Sequence, residues 1–409
     1  MKIAFLVDQF PALSETFILN QITGILDRGH VVDIYSNNMR TESKIHQDVE
    51  KYNLLSRTYY RKPPNKFSFL IKCFFLFVIN FHKNPINILK SLNIFRFGKG
   101  VFSLDLFYTY ICFLNHGPYD IVHCHFGYVG EFGIILTKLG LNKSKIITSF
   151  YGNDLGKYIN EKGKDAYKRL FNRGDLFLVL SDEMRRRLIE YGCPKKRILV
   201  HHLGIKPNLF EFKYNGHNFS APLRLLTVAR LVEKKGLEYS IKAFKQVYKK
   251  GKDITYIIVG DGPLRKQLEM LVEKLGISQK VIFVGPLAQG EIINAFKSAH
   301  IFILASITAN DGDLEGTPTV LLEAMCSGLP VISTLHAGIP EQVINGKSGF
   351  LVPERDISAL AERLEYLITH PENWPKMGRA GRQHVEEYFD IDKLNDNIVM
   401  IYHNLIHND

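Results

Sequence analysis

The sequence lacks the usual marks of a secreted or membrane-spanning protein. Its five cysteines are odd in number and form neither a Cys-x-x-Cys pair nor a disulfide-like spacing, so we expect a reducing, cytosolic compartment. The apolar run over 67–81 is shorter than the roughly 20 residues that cross a bilayer, and Lys72 interrupts it. The opening KIAFLVDQF is too short for a secretory signal, and we interpret it as a buried first strand.

Size and hydrophobic pattern indicate two large domains. The 409 residues suggest two units of about 200 residues each. Near-continuous apolar runs alternate with helical stretches, which is typical of parallel sheets covered on both faces. The sequence therefore predicts an α/β protein with two doubly wound, Rossmann-like domains facing across a cleft. The strand-like runs are IAFLV, VVDIYS, IVHCHF, LFLVLS, LRLLTVA, ITYIIVG, KVIFVG, HIFILA and LPVIST.

The segment between the two series of strands contains Pro, Asn, Gly and Ser with little periodicity, as a linker does. We therefore expect a first domain over 1–205, a linker over 206–220, a second domain over 221–388 and a final helix over 389–409.

The net charge of +11 is concentrated in the first half. Residues 1–205 hold 29 Lys and Arg against 17 Asp and Glu, whereas the remainder holds 23 against 24. Residues 51–104 include ten basic residues, many aromatic ones and no acidic one. This composition favours an anionic, partly apolar partner rather than nucleic acid. We expect amphipathic helices over 57–100 that lie in a lipid headgroup layer; alternatively, their apolar stripe packs on its own domain and the lysines are solvated.

Two glutamates lie in a segment that runs from a strand through a Gly-containing loop into a helix, ILASITANDGDLEGTPTVLLEAM. Thr317 is predicted to cap the helix and Pro318 to lie in its first turn, which places Glu315 on the loop and Glu323 inside the helix. Amides at a helix start favour an anion. Two carboxylates there accept hydrogen bonds from the hydroxyls of a sugar nucleotide while amides and cations hold its diphosphate.

Glu315 and Glu323, spaced as E-x7-E and followed by AMCSGLPVIST, resemble the signature of the GT4 family of retaining glycosyltransferases with the GT-B fold. The resemblance implies that Glu315 contacts the donor sugar and Glu323 the ribose, with Gly316, Thr317 and Pro318 beside them. The donor implied is a nucleotide-diphosphate sugar. Alternatively, the two glutamates cap or pair locally.

Two cations follow the strand in VARLVEKKGLE. The resemblance implies that Arg230 and Lys235 bind the donor diphosphate, with Lys234 as a substitute. An Arg fork and a Lys point charge both stabilise a negative leaving group.

The segment IIVGDGPLRKQL suggests a dinucleotide-binding loop, but Arg265 stands where the third glycine belongs. The resemblance implies instead that this turn and the end of the next strand border the nucleoside. The residues concerned are Gly260, Gly262, Val284, Pro286 and Leu287.

In the first half, His123 and His125 follow a strand in IVHCHFGYVG. A metal site is disfavoured because no third ligand of suitable spacing accompanies them. The resemblance implies that His125 lies near the transferred sugar, so His125 and Glu315 are the predicted catalytic residues. Alternatively, His125 is a satisfied histidine at the end of a strand.

Two further segments are assigned to an acceptor or phosphate loop. FPALSETFILNQI, with GDLEGTP and HAGIPE, resembles the subgroup of colanic-acid and amylovoran-type exopolysaccharide transferases, which points to Ser14, Glu15 and Thr16. Glu15 is alternatively only favourable to the helix dipole. In SFYGNDL, Tyr151 stands where the family commonly has histidine, and Asp154 either binds an acceptor hydroxyl or stabilises the turn.

Asp311 and Asp313 form a D-x-D string that holds a divalent cation in another glycosyltransferase fold. Because Arg230 and Lys235 supply positive charge, we expect neither a metal nor another cofactor.

Together these patterns predict a retaining glycosyltransferase at the cytoplasmic face of the cell membrane, attached peripherally. The expected acceptor is a polyprenyl-diphosphate-linked saccharide in exopolysaccharide or cell-surface glycan biosynthesis. The resemblance also implies that the final helix crosses back to the first domain. Two alternatives are a sugar-nucleotide epimerase of similar fold and a non-catalytic membrane-binding protein.

Overall fold

Two parallel β-sheets organise the chain. The computed structural model describes residues 1–12, 15–39, 45–62, 66–92, 104–140, 144–212, 223–249, 251 and 253–407. The first sheet has seven strands in the order β3-β2-β1-β4-β5-β6-β7 and the second has six in the order β10-β9-β8-β11-β12-β13. The predicted α/β class with two Rossmann-like sheets is confirmed.

All paired strands of the first sheet run parallel, and the central ones are almost wholly buried because helices cover both faces. Its strands are β1 (Lys2–Phe10), β2 (Val31–Met39), β3 (Thr58–Lys62), β4 (Ile121–His125), β5 (Lys145–Ser149), β6 (Leu176–Val179) and β7 (Ile198–Val200).

Nine α-helices accompany these strands in the described part of the chain. They are α1 (Thr16–Asp27), α2 (Gln47–Lys51), α3 (Lys66–Asn80), α4 (Pro85–Ser91), α5 (Asp105–His116), α6 (Gly127–Thr137), α7 (Lys157–Lys162), α8 (Lys168–Arg173) and α9 (Asp182–Glu190). Strand β1 shows the two faces: Phe5 packs with α1, whereas Leu6 packs with α5 and α6.

The second sheet is also parallel throughout. Its strands are β8 (Leu223–Val228), β9 (Ile254–Val259), β10 (Val281–Gly285), β11 (Ile301–Leu304), β12 (Val331–Thr334) and β13 (Gly349–Val352). Its helices are α10 (Leu237–Tyr248), α11 (Arg265–Lys274), α12 (Gln289–Ser298), α13 (Thr319–Cys326), α14 (Ile339–Gln342), α15 (Ile357–Thr369) and α16 (Trp374–Tyr388).

Short 3-10 helices join several of these elements. They span Leu54–Arg57, Phe81–Lys83, Lys164–Tyr167, Lys195–Arg197, Pro207–Leu209, Glu233–Lys235 and Pro371–Asn373.

The last helix, α17 (Ile391–His407), packs against α1 in the first half of the chain. Arg28 Nε lies 2.7 Å from Asp396 Oδ1. Tyr402 is fully buried, and its hydroxyl lies 2.6 Å from His123 Nδ1 in the middle of β4. The core of the first sheet therefore includes side chains from both ends of the sequence.

Helix α3 is apolar on nearly all sides. Phe69 and Cys73 are buried where α3 packs on α5, but the outer face carries exposed apolar side chains, among them Phe67, Phe74 and Phe75. No helix in the described part of the chain combines the length and apolar character that a membrane-spanning segment needs.

The Tyr402 hydroxyl provides a test of the contact between α17 and the first sheet. Tyr402→Phe leaves the buried His123 Nδ1 without its partner, so we expect the free energy of unfolding in urea to fall by about 1–3 kcal/mol. Tyr388→Phe, at a tyrosine that is 52% exposed, is the control and is expected to change it by less than about 0.5 kcal/mol. Equal effects of the two substitutions would contradict the assigned contact.

Candidate active site

The Lys235 ammonium and the Glu315 carboxylate form an ion pair between the loops that follow β8 and β11. Gly236 makes this approach possible, because an added Cβ would lie 1.7 Å from the Ala305 carbonyl oxygen. Its φ of +62° is also a conformation that glycine adopts readily. The residue predicted to bind the diphosphate and the residue predicted to bind the sugar are therefore neighbours.

A histidine and a second glutamate position Glu315. The Glu315 backbone N–H donates to His336 Nε2 at 3.1 Å, and His336 Nδ1 lies 2.6 Å from Glu354 Oε1. Burial favours a higher pKa for Glu315, but the ammonium groups of Lys235 and Lys234 outweigh it and lower that pKa. Glu315 is thus held ionised.

The sequence motifs did not identify His336 and Glu354 as functional residues. The HAGIPE segment contains His336, but its partner Glu354 follows β13, 18 residues further along. No local spacing reveals that pair.

Lys234 contacts a different carboxylate from the one that Lys235 contacts. Its ammonium lies 3.1 Å from Asp313 and donates to the Leu314 carbonyl oxygen at 3.1 Å, so it stabilises the loop before Glu315. Asp311 is 3.0 Å from Lys157. Both carboxylates of the D-x-D string are therefore paired with lysines. Within the described residues, no group of three His, Cys, Asp or Glu side chains is arranged to hold a metal ion.

Helix α13 begins at Thr319, so the predicted cap was wrong by one residue. Pro318, with an extended ψ of 112°, is the residue at the cap position, and it offers no side-chain hydrogen bond. The Thr317 hydroxyl is buried and has no hydrogen-bond partner among the described residues. Gly316 lies on the loop, as does Glu315.

Glu323 lies inside α13, as predicted. Burial raises the pKa of its carboxyl group to about 7. No ion pair with another described residue offsets that burial. The two predicted donor glutamates therefore differ in charge state: Glu315 is kept ionised by its cations, whereas Glu323 changes its protonation state near neutral pH.

Arg230 is exposed at the end of β8, beside the turn that follows β9. An added Cβ on Gly260 would lie 1.9 Å from the Ala229 carbonyl oxygen, and one on Gly262 would lie 2.6 Å from that of Leu231. The glycine turn therefore packs directly against the backbone on both sides of Arg230.

The remaining nucleoside candidates lie at the end of β10. Val284 and Pro286 are exposed, and Leu287 is half-buried. Arg265 donates to the Phe283 carbonyl oxygen at 3.2 Å and stabilises this edge. In the strand order β10-β9-β8-β11, the candidates for nucleoside, diphosphate and sugar follow one another along the carboxyl edge of the sheet.

His125 lies at the carboxyl end of β4, fully buried, with its ring against Phe5. Its Nδ1 is 2.7 Å from the Tyr151 hydroxyl, and its Nε2 is buried without a hydrogen-bond partner among the described residues. Burial lowers the pKa of His125 to about 3, so the imidazole is neutral. Tyr151 thus covers His125, a contact that the sequence did not indicate.

Asp154 is enclosed, which contradicts a role in binding an acceptor hydroxyl. Its carboxylate accepts hydrogen bonds from the backbone N–H groups of Tyr151, Gly152 and Gly127 at 2.9–3.0 Å. Burial raises its pKa to about 6, against the effect of these bonds. The structure favours the alternative of a turn-stabilising aspartate.

The first acceptor loop is described only in part. Ser14 lies outside the described residues. Glu15 is half-buried and precedes α1, and Thr16 is exposed at its first residue.

Loops from the two halves of the chain meet beside Glu315. An added Cβ on Gly156 would lie 2.3 Å from the Gly312 carbonyl oxygen, and one on Gly316 would lie 2.6 Å from that of Tyr151. The contact between the halves is therefore made by backbone at these positions. It brings Tyr151, and His125 beneath it, next to the Glu315 loop.

Comparison with known proteins gives matches over nearly the whole chain. Residues 14–209 match the family described as glycosyltransferase family 4, and residues 211–384 match glycosyl transferases group 1. The chain is 37% identical to the protein of Escherichia coli K12 named colanic acid biosynthesis glycosyltransferase WcaL, covering 97% of this chain and 98% of the relative. It is 38% identical to the amylovoran biosynthesis glycosyltransferase AmsK of Erwinia amylovora, covering 95% and 96%.

A solved structure supports the fold. The Anabaena protein Alr3699/HepE, in complex with UDP and glucose, superposes with a TM-score of 0.71 at 18% identity and covers 99% of this chain and 100% of its own. At that identity the likeness concerns the fold alone. The family match and the extent of identity to the two relatives together establish that the chain is a glycosyltransferase and belongs to glycosyltransferase family 4.

Proposed function

We propose that this glycosyltransferase is retaining and metal-independent, and that it moves a sugar from a nucleotide-diphosphate sugar to a lipid-linked saccharide. The process proposed is exopolysaccharide or cell-surface glycan biosynthesis, in keeping with the names of the two relatives. The observation that carries the proposal is the Lys235–Glu315 ion pair between the loops after β8 and β11.

That pair suits a donor whose negative charge lies next to its sugar. Lys235 and the exposed Arg230 provide two cations for a diphosphate, and they stabilise the charge that develops as the bond from the anomeric carbon to the diphosphate breaks. Glu315 accepts hydrogen bonds from the sugar hydroxyls, and Glu323 from those of the ribose.

In the proposed reaction the acceptor oxygen bonds to the anomeric carbon on the face that the diphosphate leaves. The acceptor proton passes to the departing diphosphate. This scheme needs no carboxylate nucleophile, and we assign none. His125 contributes a neutral imidazole beside the transferred sugar; its Nδ1 contacts the Tyr151 hydroxyl, and its Nε2 has no hydrogen-bond partner among the described residues. The ammonium and guanidinium groups take the place of a metal ion.

Helix α3 supports attachment to a membrane surface. Its outer face, with α4, exposes large apolar side chains on a segment that has basic but no acidic residues. Contiguous exposed apolar surface of this kind marks an interaction site, and an anionic bilayer matches both properties. We propose that this surface docks on the cytoplasmic leaflet.

A transfer assay tests the proposed reaction. We expect turnover of a nucleotide-diphosphate sugar, identified by thermal-shift screening of UDP-, GDP-, ADP- and dTDP-sugars, to continue in EDTA, and we expect NMR of the product to show retained anomeric configuration. Loss of turnover in EDTA that manganese restores would contradict metal independence. A modified sugar nucleotide released without acceptor would indicate an epimerase.

The raised pKa of Glu323 gives a pH test. The unbound carboxyl group is largely protonated at pH 6 and ionised at pH 8, and ribose hydroxyls bind the ionised form better. We therefore expect nucleoside diphosphate affinity, measured by calorimetry, to rise about tenfold from pH 6 to pH 8. Glu323→Gln should remove that dependence. Glu315→Gln should retain it while lowering turnover, so a flat profile in Glu315→Gln would contradict these roles.

Vesicle binding tests the docking surface. Four lysines of the basic segment are replaced: Lys66→Glu, Lys72→Glu, Lys83→Glu and Lys90→Glu. We expect binding to vesicles with anionic lipid to weaken about a hundredfold or more, because each Lys near the surface contributes about 1 kcal/mol.

The charge-matched control changes four exposed lysines of the second half: Lys249→Glu, Lys266→Glu, Lys274→Glu and Lys347→Glu. It should bind vesicles as the unmodified protein does. Unchanged vesicle binding by the first variant would rule out docking through this segment.

A further inference from the structure

Arg61 is a partly buried cation without an ion-pair partner among the described residues. Its guanidinium lies over the Phe132 ring of α6, 3.5 Å from the centroid. Its Nε is buried and makes no hydrogen bond to a described residue. Burial lowers its pKa to about 10, with Asp105 and Asp8 acting in the opposite direction, so it stays charged. A buried charge of this kind is costly unless a ligand pairs with it.

Arg61 lies at the carboxyl edge of the first sheet. The register pairs Ser36 with Tyr60 and Asn38 with Lys62, which sets Arg61 level with Asn37 at the carboxyl ends of β3 and β2. Ligands bind beyond this edge in parallel sheets.

The same row continues across β2 to β1. Asn37 Nδ2 donates to Asp8 Oδ1 on β1 at 2.8 Å, and β1 pairs with β4, which ends at His125. The charge of Asp8 also reaches Tyr128, one helical turn before Phe132 on α6. Arg61 therefore lies at the outer end of a row of polar groups on the sheet face that α5 and α6 cover, whereas His125 packs on Phe5 at the opposite face.

An apolar groove lies along α3 and the start of α5, and α5 also packs against β3, the strand that carries Arg61. It has a volume of about 610 Å³, and every lining side chain is hydrophobic: Leu70, Ile71, Cys73, Phe74, Phe77, Leu92, Leu104 and Phe107. Leu104 directly precedes Asp105, whose charge acts on Arg61. Helix α5 thus links the hydrocarbon-lined groove to the strand that carries the Arg61 cation.

We propose that Arg61 binds a phosphate group of a lipid-linked acceptor whose hydrocarbon chain lies in the groove along α3 and α5. A guanidinium recognises phosphate through paired N–H donors, and the segment around the groove has basic but no acidic residues from 51 to 104. The inference rests on the proposed function, because it assigns the acceptor side of that reaction.

Calorimetry with geranyl diphosphate tests the proposal, with the donor site first filled by a nucleoside diphosphate. We expect Arg61→Gln to weaken binding about tenfold or more and Arg61→Lys to weaken it less, because Lys keeps the charge but not the fork. Arg57→Gln is the matched control. It lies at the other end of β3, about 13 Å away at the rise of an extended strand, and should bind as the unmodified protein does.

Two further ligands separate the contribution of the diphosphate charge to binding from that of the hydrocarbon chain. Inorganic diphosphate should bind more weakly than geranyl diphosphate and lose its binding in Arg61→Gln, and geraniol should be insensitive to Arg61→Gln. Phe74→Gln, at an exposed position in the groove, should weaken the binding of geranyl diphosphate but not that of inorganic diphosphate. This variant keeps the proposal testable if Arg61→Gln does not fold.

Equal binding of geranyl diphosphate by Arg61→Gln and the unmodified protein would overturn the proposal, as would equal weakening by Arg57→Gln. If inorganic diphosphate bound as tightly as geranyl diphosphate, the proposed binding of the hydrocarbon chain in the groove would be wrong. Sugar transfer to a lipid-linked acceptor that Arg61→Gln leaves unchanged would contradict this inference alone. Binding through Arg61 without any sugar transfer would contradict the proposed function alone.

Discussion

Glu315 is a carboxylate inside protein, and its burial is tolerable only because Lys235 lies against it. Removing either partner would leave an unpaired buried charge, which is usually strongly destabilising. The loops after β8 and β11 are therefore tied together by the same pair that is proposed to meet the donor. Lys234 with Asp313 repeats the arrangement on one side, and on the other side His336 accepts a hydrogen bond from the Glu315 N–H and contacts Glu354. The cleft wall is thus built from charges that compensate one another.

Most strands of the described fold follow the apolar pattern of the sequence. The nine predicted runs all lie on strands, because a parallel sheet covered by helices requires continuous apolar residues there. Four described strands were missed: β3, β5, β7 and β13. β3, β7 and β13 lie at the edges of their sheets, and β5, reading KIITS, ends in two buried hydroxyl residues. Short edge strands and buried hydroxyl residues weaken the apolar pattern on which prediction depends.

The site was predictable where chemistry is local and not where it depends on distant contacts. Glu315 and Glu323 were placed correctly because loop and helix follow from neighbouring residues. Asp154 was left ambiguous because one of its donors, the Gly127 N–H, lies 27 positions away. The contact between Tyr151 and His125 could not be predicted for the same reason, because the two residues lie 26 positions apart. Arg61 could not be predicted as a site because the aromatic ring that it contacts, Phe132, lies on α6.

The placement of α17 has a consequence for synthesis of the chain. The hydrophobic core beneath β1 and α1 includes Ile398 and Tyr402, which are translated after almost everything else. The first sheet therefore leaves the ribosome with part of its core missing, and its apolar surface stays uncovered while the second sheet is made. Domains usually fold as units in the order of their synthesis. Here the half made first becomes complete last, which makes the nascent chain dependent on protection from aggregation until α17 arrives.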